Sequence, residues 1–97
     1  MGRVLQLTAS YSLSFSRLSP PLKDAERLAV RATYRDLQFD ERLPGEADFE
    51  ALLSPPAVGV AWVRQVGGYQ LWVLYRIDGI HVALCQIAKS APVRVDD

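Results

Sequence analysis

The chain has 97 residues, of which 49% are apolar and 23% charged, with eleven basic residues against eleven acidic ones. That size and balance suit one small folded domain and exclude a disordered chain. A net charge of zero also argues against strong nonspecific nucleic-acid binding, which draws on an excess of Lys and Arg. Cys85 is the only cysteine, so neither an intramolecular disulfide nor a thiol metal cluster is expected. The apolar runs are too short for a membrane-spanning helix, and Met1 to Thr8 lacks the pattern of a secretory signal. The expected setting is cytoplasmic, with no membrane, metal or cofactor.

In chain order, Arg3 to Thr8 reads as a strand carrying Val4, Leu5 and Leu7. Residues 10–18 fit two patterns. Serines alternate with large apolar residues, the period of a half-buried strand, while Tyr11, Phe15 and Leu18 fall at helical spacing. The helix is favoured because Thr8 or Ser10 can cap it. Ser19-Pro20-Pro21 reads as a break and the start of a second helix. Leu22, Ala25, Leu28, Ala29, Ala32 and Leu37 then make the expected apolar stripe, with Arg27, Arg31 and Arg35 on a solvated face. Gln38 to Ala47 is a loop, and Asp48 to Leu53 reads as one helical turn before Ser54-Pro55-Pro56. Between Asp36 and Glu50 lie six acids and a single base, Arg42. The run lacks the ligand spacing of a calcium loop.

The stretch from Ala57 to Ile87 reads as a three-stranded antiparallel meander. Val58, Val60 and Trp62 alternate up to Arg64, Gln65 to Gly68 turn, Tyr69 to Ile77 form the central strand, and Ile80 to Ile87 the last. Asp78-Gly79 between alternating strands marks a two-residue hairpin, because a type I′ turn wants positive φ at both central positions. That turn sets Ile77 against Ile80, Tyr75 against Val82 and Val73 against Leu84, an apolar face for the helices. Gln70, Trp72, Leu74 and Arg76 lie on the other face, across from Ile87, Cys85, Ala83 and His81. On this register Arg76 and His81 are direct partners. The fold class expected is α+β: an N-terminal strand and one or two helices packed on this meander.

Motifs for chemistry are sparse. His81 is the only histidine and has no companion cluster for zinc; it reads as a surface residue. No context marks a nucleophilic serine. Gly67-Gly68 is a turn and not a phosphate loop, since no Lys-Ser/Thr follows. Trp72 suits either base stacking or the closing of a core or interface.

The run Gly68-Tyr69-Gln70-Leu71-Trp72-Val73-Leu74-Tyr75-Arg76-Ile77-Asp78-Gly79, followed by Val82, Leu84 and Ile87-Ala88-Lys89-Ser90, resembles the sheet of RelE/ParE-like toxins. The Lys89-Ser90-Ala91-Pro92 ending is similar to the HigB-like branch. The resemblance implies a toxin of a toxin–antitoxin pair, with an antitoxin protein as partner. RelE-like members cleave mRNA on the ribosome without metal, using basic residues and a tyrosine on the concave sheet; ParE-like members act on DNA gyrase. Carried over residue by residue, Lys89 matches the tail lysine, and the basic residues of the preceding strand correspond to Ala61 or Val63, with Arg64 close by. Gln70 stands where the family has an arginine, Ser90 where it has a second tail cation, and the late tyrosine or histidine is missing.

Two functions follow as expectations. In the first, a toxin acts on mRNA or translation, with Arg64, Arg76 and Lys89 holding phosphate and His81 or Arg64 moving the proton. In the second, the same fold is a non-catalytic module that binds a partner or dimerises through Trp62 and Trp72.

Overall fold

A computed structural model describes residues 2–95. The elements run β1 (Val4–Leu7), α1 (Ala9–Ser16), α2 (Asp24–Phe39), β2 (Phe49–Leu52), β3 (Val60–Gln65), β4 (Trp72–Asp78) and β5 (His81–Ala88). The strands form one five-stranded sheet in the order β1-β5-β4-β3-β2. β1 lies parallel to β5, and the other neighbours are antiparallel. The α+β class and the β3-β4-β5 meander are therefore present, but the sheet is wider than the expected meander. The N-terminal strand joins it, and a further strand forms at β2.

β2 replaces the helical turn expected over Asp48 to Leu53. Phe49 and Ala51 pair with Val63 and Ala61, while Glu50 and Leu52 are exposed. Four residues are too few to separate this alternation from the competing helical spacing of Phe49, Leu52 and Leu53. Pairing with β3 decides it.

α1 confirms the helical reading of the Ser-rich stretch. Thr8 Oγ1 accepts the Tyr11 N–H at 3.1 Å, capping the first turn. Ser14 explains the ambiguous alternation: its hydroxyl accepts the Ile87 N–H at 3.0 Å and donates to Tyr11 O at 2.8 Å, tying α1 to the sheet.

α2 starts at Asp24, later than the Ser19-Pro20 signal. The Lys23 N–H donates to Glu26 Oε1 at 2.9 Å, which satisfies an orphan donor of the first turn. Its buried stripe is Val30, Thr33 and Leu37, with Ala29 and Tyr34 half-buried; Ala25, Leu28 and Ala32 face out. The expected stripe was thus rotated by roughly one residue. Both stripes have helical spacing. The one that packs lets Tyr34 meet Tyr11, hydroxyl to hydroxyl, and Thr33 satisfy itself on Ala29 O at 3.0 Å.

The hairpin is displaced from its expected register. Asp78 pairs with His81, so the turn residues are Gly79 and Ile80. Gly79 has φ 58° and no non-glycine residue among the described residues is positive, which fits a glycine-first primed turn and not type I′. Tyr75 now meets Leu84 and Ile77 meets Val82. A slip of two residues preserves sidedness, so Val73, Tyr75, Val82 and Leu84 still enter the helix-side core, while Ile80 is exposed at the turn. Arg76 meets Ala83, and the expected Arg76–His81 pairing does not form. An irregularity between Leu74 and Tyr75 advances the register again, so Ile87 joins Val73 in the helix-side core.

A second, smaller core lies on the other face: Ala51, Ala61, Val63, Leu74 and Cys85 are buried there. The loop after β2 and the C-terminal tail close over it. The Gln86 amide bonds both the N–H and the C=O of Ser54, at 2.9 and 2.7 Å. The tail adds to the edge of β2: Leu52 N–H reaches Val93 O at 3.0 Å and Val95 N–H reaches Glu50 O at 2.9 Å. The Arg94 guanidinium sits 4.1 Å over the Phe49 ring.

Candidate functional site

The four residues singled out for chemistry are dispersed. Arg64, on β3, turns to the helix side and is held by two carboxylates. Its Nε and Nη2 donate to Asp48 at 3.0 and 2.9 Å, and its Nη1 donates to Asp40 at 2.8 Å. Asp48 also accepts the Gly45 N–H at 2.8 Å and the Tyr75 hydroxyl. The side chain of Asp48 is 3% exposed and that of Arg64 14%. Burial alone would raise the Asp48 pKa, but the bonds from Arg64, Tyr75 and Gly45 outweigh it and hold the carboxyl below its usual range. Burial and the neighbouring Asp48 push the Tyr75 hydroxyl up, so it stays a donor. A Cβ on Gly45 would run into the Arg64 guanidinium. This packed bidentate pair, with Asp40 on the remaining nitrogen, answers the Arg64 charge from within the chain.

Arg76 is exposed but engaged. Its Nε and Nη2 donate to Val60 O and Val58 O, both at 3.1 Å, and so staple the approach to β3. Between those carbonyls Gly59 has φ 106°, and a Cβ there would lie 2.7 Å from Arg76 Nη2. Lys89 donates its ammonium to Pro20 O, across from the far end of β5. His81 is half-buried at the hairpin end, paired in register with Asp78 and beside Val4, and makes no side-chain hydrogen bond among the described residues. Arg76 and His81 share the sheet face opposite the helices; Arg64 is on the other face, and Lys89 is at the opposite end of β5.

The sheet face on which the resemblance would place catalytic groups is thus largely apolar and covered. Cys85, within it, has its thiol pKa raised by burial, which keeps it from acting as a thiolate. No group of His, Cys, Asp and Glu is arranged to hold a metal among the described residues, and no helix among them is long and apolar enough to cross a membrane.

A different cluster is open. Phe15, Val30 and Tyr34 floor a groove of about 330 Å³ between α1 and α2, and Arg27 and Arg31 stand at its rim. Arg27, Arg31 and Arg35 are exposed and, at four-residue steps, rise about 6 Å apart along one flank of α2. Among the described residues the ion pairs are those of Arg64, so this row carries unanswered charge. Its sequence sign was the four-residue spacing of the arginines. The aromatic floor has no such sign, since it takes two helices packed together to bring Phe15 beside Tyr34. No protein family, curated protein or solved structure matches this chain, and the site's geometry is what bears on its function.

Proposed function

We propose that this domain works by binding an acidic segment of a protein partner, on a scaffold of the RelE/ParE-like type, and does not cleave RNA. The observation that carries this reading is the contrast among its cations. Arg64, Arg76 and Lys89 are bonded to the chain's own carboxylates and carbonyls, whereas Arg27, Arg31 and Arg35 have no ion-pair partner among the described residues and stand beside an apolar groove. Carboxylates of a partner would meet these arginines in charge-assisted bonds, and an apolar side chain would fill the groove over Phe15, Val30 and Tyr34. The zero net charge favours a protein over a nucleic acid as the occupant. An antitoxin-type protein is a partner of this kind.

Calorimetric titration with a peptide of alternating Glu and Leu residues checks the proposal. Binding should weaken with salt and disappear in Arg27→Glu with Arg31→Glu, while an oligouridine of equal length does not bind. Binding of the oligonucleotide alone would reverse the assignment.

A second reading, a toxin acting on mRNA or translation, is favoured by the element order: a strand, two helices and then antiparallel strands. Expression in bacteria separates the two. Growth arrest with mRNA cleavage that is lost in Arg76→Ala with Lys89→Ala would establish the nuclease and remove the non-catalytic reading.

A further inference from the structure

The two edges of the sheet are finished differently. At β2 the C-terminal tail takes up the edge hydrogen bonds. At β1 nothing comparable among the described residues covers Leu5 to Leu7. The Val4 N–H donates to Ile80 O at 2.8 Å and the Thr8 N–H to Leu84 O at 3.2 Å, so the even-numbered residues bond to β5. Backbone groups alternate in direction along a strand, and the N–H and C=O of Leu5 and Leu7 therefore point away from the sheet. The Arg3 N–H, which also points outward, is taken by Gln38 O at 2.8 Å. Leu7 is 61% exposed, and Val4, Phe39 and Ile80 are exposed around the same edge.

Sheet edges are normally blunted by a charge, a proline or a bulge. Val4-Leu5-Gln6-Leu7 has no charged residue and no proline, and pairs with β5 without a register shift.

We infer that β1 pairs antiparallel with β1 of a second copy, joining two five-stranded sheets into one continuous sheet. The register follows from the free groups. Leu5 stands opposite the partner's Leu7, and each such couple exchanges both of its backbone bonds. A two-fold axis then passes at Gln6, which meets the partner's Gln6 as a non-hydrogen-bonded pair with Cα atoms about 4.5 Å apart. Leu5 and Leu7 share the helix side of the sheet, so the exposed Leu7 packs on the partner's Leu5. The Gln6 amides bond across the axis on the other side.

A second copy fits this edge better than a foreign strand for two reasons. Leu5-Gln6-Leu7 is symmetric about Gln6, so a two-fold antiparallel contact sets leucine against leucine on both sides of its axis. It also presents no charge for a foreign strand to answer, and none that repels its own copy. The pairing engages one short strand of each copy, against roughly 20–30 residues a side in a standard interface, so the dimer dissociates on dilution. Since none of the groove residues takes part, this pairing and the acidic-partner proposal stand or fall separately.

Cross-linking tests the register. Under mild oxidation Gln6→Cys should form a covalent dimer, because its Cα separation lies inside the 4.4–6.8 Å window of a disulfide. Val4→Cys, which the register sets opposite the partner's Thr8, should not. The native Cys85 is buried, and the wild type serves as the control. Light scattering should show a concentrated wild-type sample as a dimer that is lost on dilution and lost outright in Leu7→Lys. Leu7 is exposed in the protomer, so the circular dichroism of that variant should be unchanged. A wild type that stays monomeric at high concentration, or a Gln6→Cys that cross-links no faster than Val4→Cys, overturns the inference; so does a dimer that survives Leu7→Lys.

Discussion

Arg64 and Arg31 carry the same guanidinium and are used in opposite ways. Arg64 is nearly enclosed, bonded to Asp40 and Asp48, and backed by the Tyr75 hydroxyl. Arg31 is exposed at the rim of a groove and makes no ion pair among the described residues. The difference is desolvation. A charge taken out of water must be answered by the protein itself, so a buried cation is committed to its partners. A solvated one remains available to another molecule. Residue type alone therefore does not nominate a binding cation; its state of engagement does.

The strongest way to break the contrast is to strip the enclosed cation of its counter-charge. Asp48→Ala leaves Arg64 with Asp40 alone and should cost about 3 kcal/mol, measured by urea denaturation. The same pair sets an acid limit. The Asp48 pKa is lowered in the folded state, so its contribution is complete above the unfolded value near pH 4 and is lost as pH falls through the folded value. Asp48→Asn should flatten that part of the stability profile, and an unchanged acid limb would show that the pair adds no stability.

A smaller effect should separate the two stripes of α2. Val30→Ala opens the helix-side core and should lower stability by about 2 kcal/mol. Leu28→Ala, on the exposed stripe, should stay within about 0.5 kcal/mol. Equal losses would mean that the outer stripe is also packed in solution.

Next comes the Arg76 staple. Gly59→Ala should cost about 1–2 kcal/mol from its positive φ and the approach of Arg76. Part of that loss should vanish when Arg76 is Ala, because only the clash is relieved; a double-mutant cycle measures the coupling. The smallest stability change belongs to the open row. Arg31→Ala should shift stability by less than about 0.5 kcal/mol while weakening the acidic peptide, which makes it the counterpart of Arg64.

Much of the framework was legible because it depends on local chemistry. Thr8 caps α1 as its side chain dictates, and alternating Val, Trp and Tyr residues place β3 and β4. The apolar side of β4 was legible too, since side-chain period fixes which residues share a face. β2 was not, since four residues carry too little pattern and its pairing partner is β3, eight residues further on. The candidate site was mostly illegible. Residue type and the resemblance point to Arg64, Arg76, His81 and Lys89, but neither shows that a carboxylate from a loop reaches Arg64 or that Pro20 O receives Lys89.

The sequence by itself determined an α+β domain with a meander, a turn at Gly79 and a sheet whose Val73 and Tyr75 side is buried. Periodicity, capping and glycine's freedom at positive φ act over a few residues, so they can be read there. The tertiary structure decided the rest: which stripe of α2 packs, a hairpin register two residues from the expected one, a β1 edge left open while the tail closes β2, and a Gly79 turn of the glycine-first kind. Each of these is a choice between local alternatives of similar energy. It is settled by contacts between segments distant in the chain, such as Tyr11 with Tyr34 and Asp48 with Arg64 and Tyr75.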